Sequence, residues 1–84
     1  MNYSIVIEKR ARQFISKQPK TQRERLLKAI AKLPEEGDIK PLAGRNGFFR
    51  LRVGDYRVIY YVENDRFVVV VIDAGNRGQI YKTL

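Results

Sequence analysis

Apolar positions recur with different periods along the chain, and each change of period marks a new element. Residues 2–7 alternate polar and apolar side chains and include β-branched residues, which predicts a first strand. Ala11, Phe14 and Ile15 then follow at helical spacing, so we expect a helix over about residues 8–17, interrupted by Pro19. Thr21 and Glu24 fit a capping box for a second helix, which should end near residues 34–37. Its apolar stripe comprises Leu26, Leu27, Ile30, Ala31 and Leu33.

The second half of the chain returns to the period of a β-sheet. Residues 38–47 contain turn signals, among them Pro41, Gly44 and Asn46-Gly47, and are predicted to form a loop. Three strands should follow, at about 48–53, 56–63 and 66–73, joined by hairpin loops at Gly54-Asp55 and Asn64-Asp65. A tail over 75–84 closes the chain. The order βααβββ predicts one α+β domain over 1–84, with an N-terminal helical hairpin packed on a four-stranded, mainly antiparallel sheet.

Arginines occupy one face of the first predicted hairpin. Arg50 and Arg52 have the same parity along their strand, whereas Phe49, Leu51 and Val53 have the opposite parity. A sheet needs apolar side chains on its buried face but does not need guanidinium groups on the other. We interpret the arginine face as a surface for RNA phosphates.

The charge of the chain favours polyanionic partners without identifying one. It carries 17 Lys+Arg against 9 Asp+Glu over 84 residues, a formal net charge of +8. A field of this sign concentrates polyanions near the surface. A basic surface that serves only solubility, or one that binds an acidic protein, is also compatible with this charge. No signal peptide opens the chain, and the longest apolar run, 67–72, is shorter than the ~20 residues of a membrane helix, so a cytoplasmic location is expected.

The absence of two residue types limits the available chemistry. The sequence has no histidine and no cysteine, which excludes a His acid/base pair, a Cys nucleophile and a His/Cys zinc site. Glu63, Asp65 and Asp73 form no evident acidic cluster, and no P-loop spacing occurs, so we expect neither a metal nor a cofactor. Catalysis would then depend on Arg, Lys and Tyr. These suffice for RNA cleavage, because RNA carries its own nucleophile, the 2′-hydroxyl, and arginine can stabilise charge on the phosphate.

Three motifs together resemble a known family. They are Pro41-Leu42-Ala43-Gly44, the run from Phe49 to Tyr60 with its Arg-Leu-Arg-x-Gly-x-Tyr-Arg core, and Gly75-Asn76-Arg77-Gly78 followed by Tyr81. With the length and the βααβββ order, they resemble the RelE branch of the RelE/ParE toxin superfamily over essentially the whole chain. The resemblance implies a RelE-like microbial RNase fold and a toxin of a type II toxin–antitoxin system that cleaves mRNA in the ribosomal A site.

The resemblance also implies roles for individual residues. Arg57 matches the arginine that stabilises the transition-state phosphate, Arg77 a second phosphate-binding arginine, and Tyr81 a tyrosine that stacks on mRNA. Arg50 lies where well-studied members have a lysine of the catalytic strand. Further RNA-binding positions are Arg52, Lys40, Arg45 and Lys82. Phe48 departs from the pattern, because some members carry a lysine there that is proposed as the general base; Tyr81 or Lys40 are the remaining candidates for that role.

The implied partners are a cognate antitoxin, the ribosome and mRNA, with operator DNA bound through the antitoxin. Two alternatives stay open. A ParE-like protein would inhibit DNA gyrase without cutting RNA, and an inactive relative would retain only antitoxin or operator binding. Each residue also has a structural alternative: Arg57 could pair with Asp55 or Asp73, and Tyr56, Tyr60 and Tyr61 could pack in the sheet.

Overall fold

The computed structural model describes residues 3–76, which form five strands and two helices. In chain order these are β1 (Ser4–Ile7), α1 (Lys9–Ser16), α2 (Lys20–Ala31), β2 (Asp38–Pro41), β3 (Phe48–Val53), β4 (Tyr56–Glu63) and β5 (Val68–Asn76). All five strands belong to one sheet with the order β1-β5-β4-β3-β2. β1 runs parallel to β5, and the other neighbouring strands are antiparallel. The predicted α+β class, with a helical hairpin on a mainly antiparallel sheet, is confirmed.

The number of strands was predicted wrongly, because the predicted loop over 38–47 contains β2. This strand pairs along β3, with Ile39 opposite Leu51 and Pro41 opposite Phe49. Pro41 is tolerated there because β2 is an edge strand, on which a missing N–H costs no ladder hydrogen bond on the outer side. The sheet therefore has five strands rather than four.

The second helix begins one residue before the predicted capping box. α2 starts at Lys20 with Pro19 in the N-cap position, and no side chain caps it by a hydrogen bond. Thr21 thus lies inside the first turn and does not cap the helix, so the capping-box prediction was wrong. The backbone φ of Pro19, −55°, is already close to helical values, and this favours a start at this point.

The two predicted hairpins had different outcomes. Gly54-Asp55 forms the predicted two-residue loop, since Val53 pairs directly with Tyr56. Gly54 has φ +58°, a conformation that glycine adopts without a steric penalty. The second connection is longer than predicted, because β4 ends at Glu63 and β5 begins at Val68. Phe67 closes this turn with φ +53°, and its carbonyl oxygen accepts a hydrogen bond from Ser4 N at 2.8 Å, which ties β1 to the turn.

The core lies between the helices and one face of the sheet. Leu26 and Ile30 are four residues apart on α2, and both are buried against Leu51 and Val58 of the central strands. The other buried members are Ala11, Ile15, Leu33, Val53, Tyr60, Val69, Val71 and Ala74. The helices therefore cover one face of the sheet. Neither described helix is long and apolar enough to cross a membrane.

Tyr60 makes part of this core sensitive to alkali. Its side chain is 1% exposed, and burial raises its pKa from 10.0 to about 12. The unfolded chain would then lose the phenolic proton before the folded protein does. The contribution of the neutral phenol to the free energy of unfolding is therefore complete below pH 10 and is lost as the pH rises towards 12.

We expect Tyr60→Phe to remove this dependence. Between pH 10 and pH 12 the unfolding free energy of the wild type should fall more than that of Tyr60→Phe, by up to roughly 2 kcal/mol. Urea unfolding at pH 8, 10 and 11.5 measures this difference. Parallel pH profiles for the two proteins would contradict the prediction, and Tyr61→Phe, on the opposite face of the sheet, is the matched control.

Candidate active site

Basic side chains gather on the face of the sheet that the helices leave uncovered. In an antiparallel pair, directly opposed residues project to the same face. Arg52 lies opposite Arg57, and Lys40 lies opposite Arg50. Leu51 and Val53 alternate with the arginines of β3 and are buried in the core on the other face. We call the surface formed by Lys40, Arg50, Arg52 and Arg57 the cationic face; the predicted separation of arginines from apolar residues is confirmed.

Two of the cross-strand pairs on the cationic face join like charges. Such pairs are destabilising when they are directly opposed. Asp38 lies opposite Arg52 on its other side, which offsets part of the repulsion from Arg57. Arg50, in contrast, lies between Lys40 and the apolar Ile59. Among residues 3–76 the salt bridges join Arg10 to Asp73 and Arg66 to Glu63, and none includes a residue of the cationic face.

Arg57 is the most deeply buried of these cations, with only 5% of its surface exposed. Its Nη1 donates a hydrogen bond to the carbonyl oxygen of Tyr56 at 3.2 Å, which fixes the guanidinium against the strand. The alternative pairing of Arg57 with Asp55 or Asp73 does not occur in the described part of the chain. A buried charge with no counter-charge among residues 3–76 is costly, so within the described chain this position favours an anionic ligand.

Arg50 also has an unused donor. Its Nε is buried and has no hydrogen-bond partner among the described residues. The side chain borders a cleft of about 230 Å³, which Lys40 lines together with Pro41, Leu42 and Ala43. The Arg50 guanidinium and the neighbouring Lys40 ammonium group, which both line this cleft, offer hydrogen bonds and charge to a phosphate oxygen.

The remaining predicted residues divide into those near the cationic face and those outside the described residues. Arg45 precedes β3, and its guanidinium lies 4.8 Å from the centre of the Phe48 ring, two residues from Arg50. The guanidinium of Arg25, on α2, lies directly beside Gly54 of the β3–β4 hairpin, since a Cβ built on Gly54 would lie 2.9 Å from Arg25 Nη1. Arg25 therefore extends the basic surface around this hairpin. Arg77, Tyr81 and Lys82 lie outside the described residues.

Two features of this surface were not predicted from the sequence. Ile59 is fully buried although it projects to the helix-free face, where it lies between Arg50 and Asp73. Asp73 is 5% exposed, and its Oδ2 lies 3.5 Å from Arg10 Nε of α1. A β-bulge between Ile59 and Tyr60 shifts the register with β5. No pattern within a single strand indicates that shift. Residues 3–76 contain no cluster of three or more acidic side chains suited to a metal ion.

Phosphate should stabilise the protein through Lys40 and Arg50. We expect Lys40→Gln to raise the melting temperature by a few degrees, because the like-charge pair costs up to about 1 kcal/mol. The same variant should show a smaller stabilisation by phosphate, measured against chloride at equal ionic strength. Lys17→Gln at the end of α1 removes the same charge away from the cationic face and is the control. An equal phosphate response in the two variants would contradict the prediction.

Comparisons with known proteins agree with this architecture. Residues 5–81 match the family described as the ParE toxin of type II toxin–antitoxin system, parDE. The archaeal RelE of the RelE–RelB complex from Pyrococcus horikoshii OT3 is 30% identical, with a TM-score of 0.75, over 94% of this chain and 99% of that chain. RelE in the intact E. coli RelBE complex is 30% identical, with a TM-score of 0.74, over 92% of this chain and 99% of that chain. The isolated E. coli RelE toxin is 26% identical, with a TM-score of 0.73, over 96% of this chain and 93% of that chain. A search of curated proteins finds no match.

A helical hairpin on one face of the sheet and a cationic opposite face thus define a RelE-like toxin fold. The chain belongs to the ParE toxin family, in the RelE/ParE superfamily of type II toxin–antitoxin toxins.

Proposed function

We propose that this toxin is a ribosome-dependent, metal-independent endoribonuclease that cleaves mRNA in the A site. The observation that carries the proposal is the buried Arg57 guanidinium, directly opposite Arg52 and without a carboxylate partner in the described part of the chain. A phosphate of mRNA would supply the missing negative charge. The similarity to RelE toxins supports the same assignment.

In the proposed reaction the 2′-hydroxyl of the nucleotide preceding the cut attacks the neighbouring phosphorus atom. The bond from phosphorus to the 5′-oxygen breaks, which leaves a 2′,3′-cyclic phosphate and a 5′-hydroxyl. Arg57 and Arg50 would stabilise the additional negative charge on the phosphate oxygens in the transition state. One proton leaves the 2′-hydroxyl and one is taken up by the 5′-oxygen; Lys40 and Tyr81 remain the candidates for handling these protons.

Purified toxin, ribosomes and a translated mRNA test this proposal directly. We expect cuts within A-site codons, with 5′-hydroxyl ends on the downstream fragments. A 2′-deoxy nucleotide immediately before the cut should prevent cleavage at that codon, because it removes the nucleophile. Intact mRNA, or cleavage that persists with the 2′-deoxy nucleotide, would refute the proposed reaction.

The partner that we propose for this toxin is an antitoxin encoded with it. RelE from P. horikoshii and RelE from E. coli were both solved in complexes with RelB. An acidic antitoxin segment placed over the cationic face would block access to RNA and neutralise the opposed like charges. The complex would bind operator DNA through the antitoxin.

A ParE-like inhibitor of DNA gyrase is the second candidate, favoured by the family match over residues 5–81. Such a protein would use the same fold as a binding surface and would leave RNA whole. A supercoiling assay with the same protein preparation separates the candidates. Inhibition of gyrase together with intact mRNA would favour the second.

A further inference from the structure

An aromatic cleft adjoins the cationic face on the uncovered side of the sheet. Phe48 and Tyr61 lie directly opposite each other on β3 and β4, with ring centres 5.5 Å apart and ring planes at 69°. The cleft has a volume of about 540 Å³. It is lined by Phe48, Tyr61, Ile72, Asp73, Glu8, Lys9 and Arg10.

Two other aromatic pairs of the described chain lie in the helix-covered layer, whereas Tyr3 and Phe67, with ring centres also 5.5 Å apart, form a second partly exposed pair at the β4–β5 turn. Phe49 stacks on Tyr60 beneath the helices, and Phe14 contacts Tyr56, whose hydroxyl donates to Gln18 at 3.0 Å. Phe48 and Tyr61 contribute to no helix-covered core and remain half-buried at the mouth of a cleft. Their exposed surface is therefore available to a ligand.

Charged side chains of both signs border the two rings. Glu8 and Asp73 line the cleft together with Lys9 and Arg10, and Arg10 Nε lies 3.5 Å from Asp73 Oδ2. Arg45 lies over Phe48 at 4.8 Å, and Lys9 and Arg10 form the opposite rim of the cleft. Arg50 is two residues from Phe48 on the same face, a separation of about 7 Å along the strand. Proteins that bind single-stranded RNA combine base-stacking aromatic rings with cations that follow the backbone.

We propose that the cleft lined by Phe48 and Tyr61 holds an unstacked nucleobase of single-stranded RNA against the exposed surface of these rings, next to the phosphate bound by the cationic face. This inference rests on the proposed function and specifies how its site positions the substrate. Phe48 then acts as a stacking surface at a position where some members of the superfamily carry a lysine. The cleft orients the nucleotide, and Arg50 and Arg57 act on the phosphate.

Binding of a short single-stranded RNA that contains one 2-aminopurine tests the cleft without ribosomes. Stacking quenches the fluorescence of this base, so titration with wild-type protein at low salt should give quenching. Phe48→Leu and Tyr61→Leu should each weaken binding about 5- to 100-fold and reduce the quenching. Phe48→Tyr and Tyr61→Phe retain the rings and should behave like the wild type. Phe67→Leu removes an exposed ring from the β4–β5 turn and is the matched control.

The possible outcomes distinguish failure of the nucleobase-binding proposal from failure of the proposed function. Quenching that depends on both rings supports the cleft, even if A-site cleavage fails and the proposed function is rejected. Cleavage with quenching unchanged in Phe48→Leu and Tyr61→Leu overturns the cleft and leaves the proposed function intact. Absence of quenching by the wild type also overturns the cleft. So does a result in which the leucine variants lose only antitoxin affinity, because the rings would then belong to a protein interface.

Discussion

Replacing Arg57 with glutamine should lower the rate of A-site cleavage by about 10²- to 10³-fold, the loss typical of removing one donor to a transition-state oxyanion. Glutamine is shorter by two bonds and has neither the charge nor the planar fork of arginine, so it cannot bind two phosphate oxygens at once. The rate is measured in single-turnover cleavage on programmed ribosomes at saturating toxin, which separates loss of chemistry from loss of ribosome binding.

The same substitution should leave the melting temperature unchanged or raise it. Arg57 is 5% exposed, is directly opposed to Arg52, and lies in no salt bridge of the described chain. Removing a buried charge that no carboxylate of residues 3–76 pairs with relieves desolvation and repulsion together. Activity and stability therefore move in opposite directions, as expected where a residue is retained for its function at a cost in stability.

Arg66→Gln is the control for this experiment. Arg66 is an exposed arginine of the β4–β5 turn, and its Nη1 lies 2.7 Å from Glu63 Oε2. Loss of this surface pair should cost between 0 and about 1 kcal/mol and should not change cleavage. A variant Arg57→Gln that loses stability and activity together would indicate that Arg57 serves the fold, and the phosphate-binding role would be rejected.

The cationic face could be predicted from the sequence because its determinants are local. Arg50 and Arg52 share a parity that any extended strand preserves, and a two-residue hairpin at Gly54-Asp55 brings Arg57 opposite Arg52. The burial of Arg57 could not be predicted, since it depends on side chains from other strands. The roles of Arg77 and Tyr81 remain predictions, because both residues lie outside the described part of the chain.

The features that sequence reasoning missed depend on pairing between distant segments. β2 has only four residues among strong turn signals, and its strand geometry comes from the ladder with β3. The aromatic cleft needs Phe48 opposite Tyr61, together with residues of α1 and the bulged register that turns Asp73 towards it. Phe48 read alone indicated only a missing lysine. The stacking role proposed for it rests on its contact with Tyr61, which depends on the pairing of β3 with β4.

Leu26→Ala should have the largest effect on stability of the substitutions considered, a loss of about 2–5 kcal/mol. Leu26 is fully buried on α2, in the layer between the helices and the central strands. Truncation removes apolar contacts and leaves a cavity that the sheet cannot close. Since small domains have a total free energy of unfolding of about 5–15 kcal/mol, this one substitution should remove a large fraction of the stability of the protein.

Leu27→Ala is the matched control, because Leu27 is the next residue of the same helix but is 43% exposed. Its loss should be below about 1 kcal/mol, as for surface substitutions in general. Urea unfolding measures the free energy of unfolding of both variants. Because both change leucine to alanine in the same helix, the difference in helix propensity is the same and only the burial differs.

In cells, Leu26→Ala should reduce toxicity by lowering the amount of folded toxin, although its cationic face is unchanged. Cleavage per folded molecule should therefore remain at the wild-type value, in contrast to Arg57→Gln. Equal losses of stability in Leu26→Ala and Leu27→Ala would show that the helix hairpin is not packed on the sheet as described.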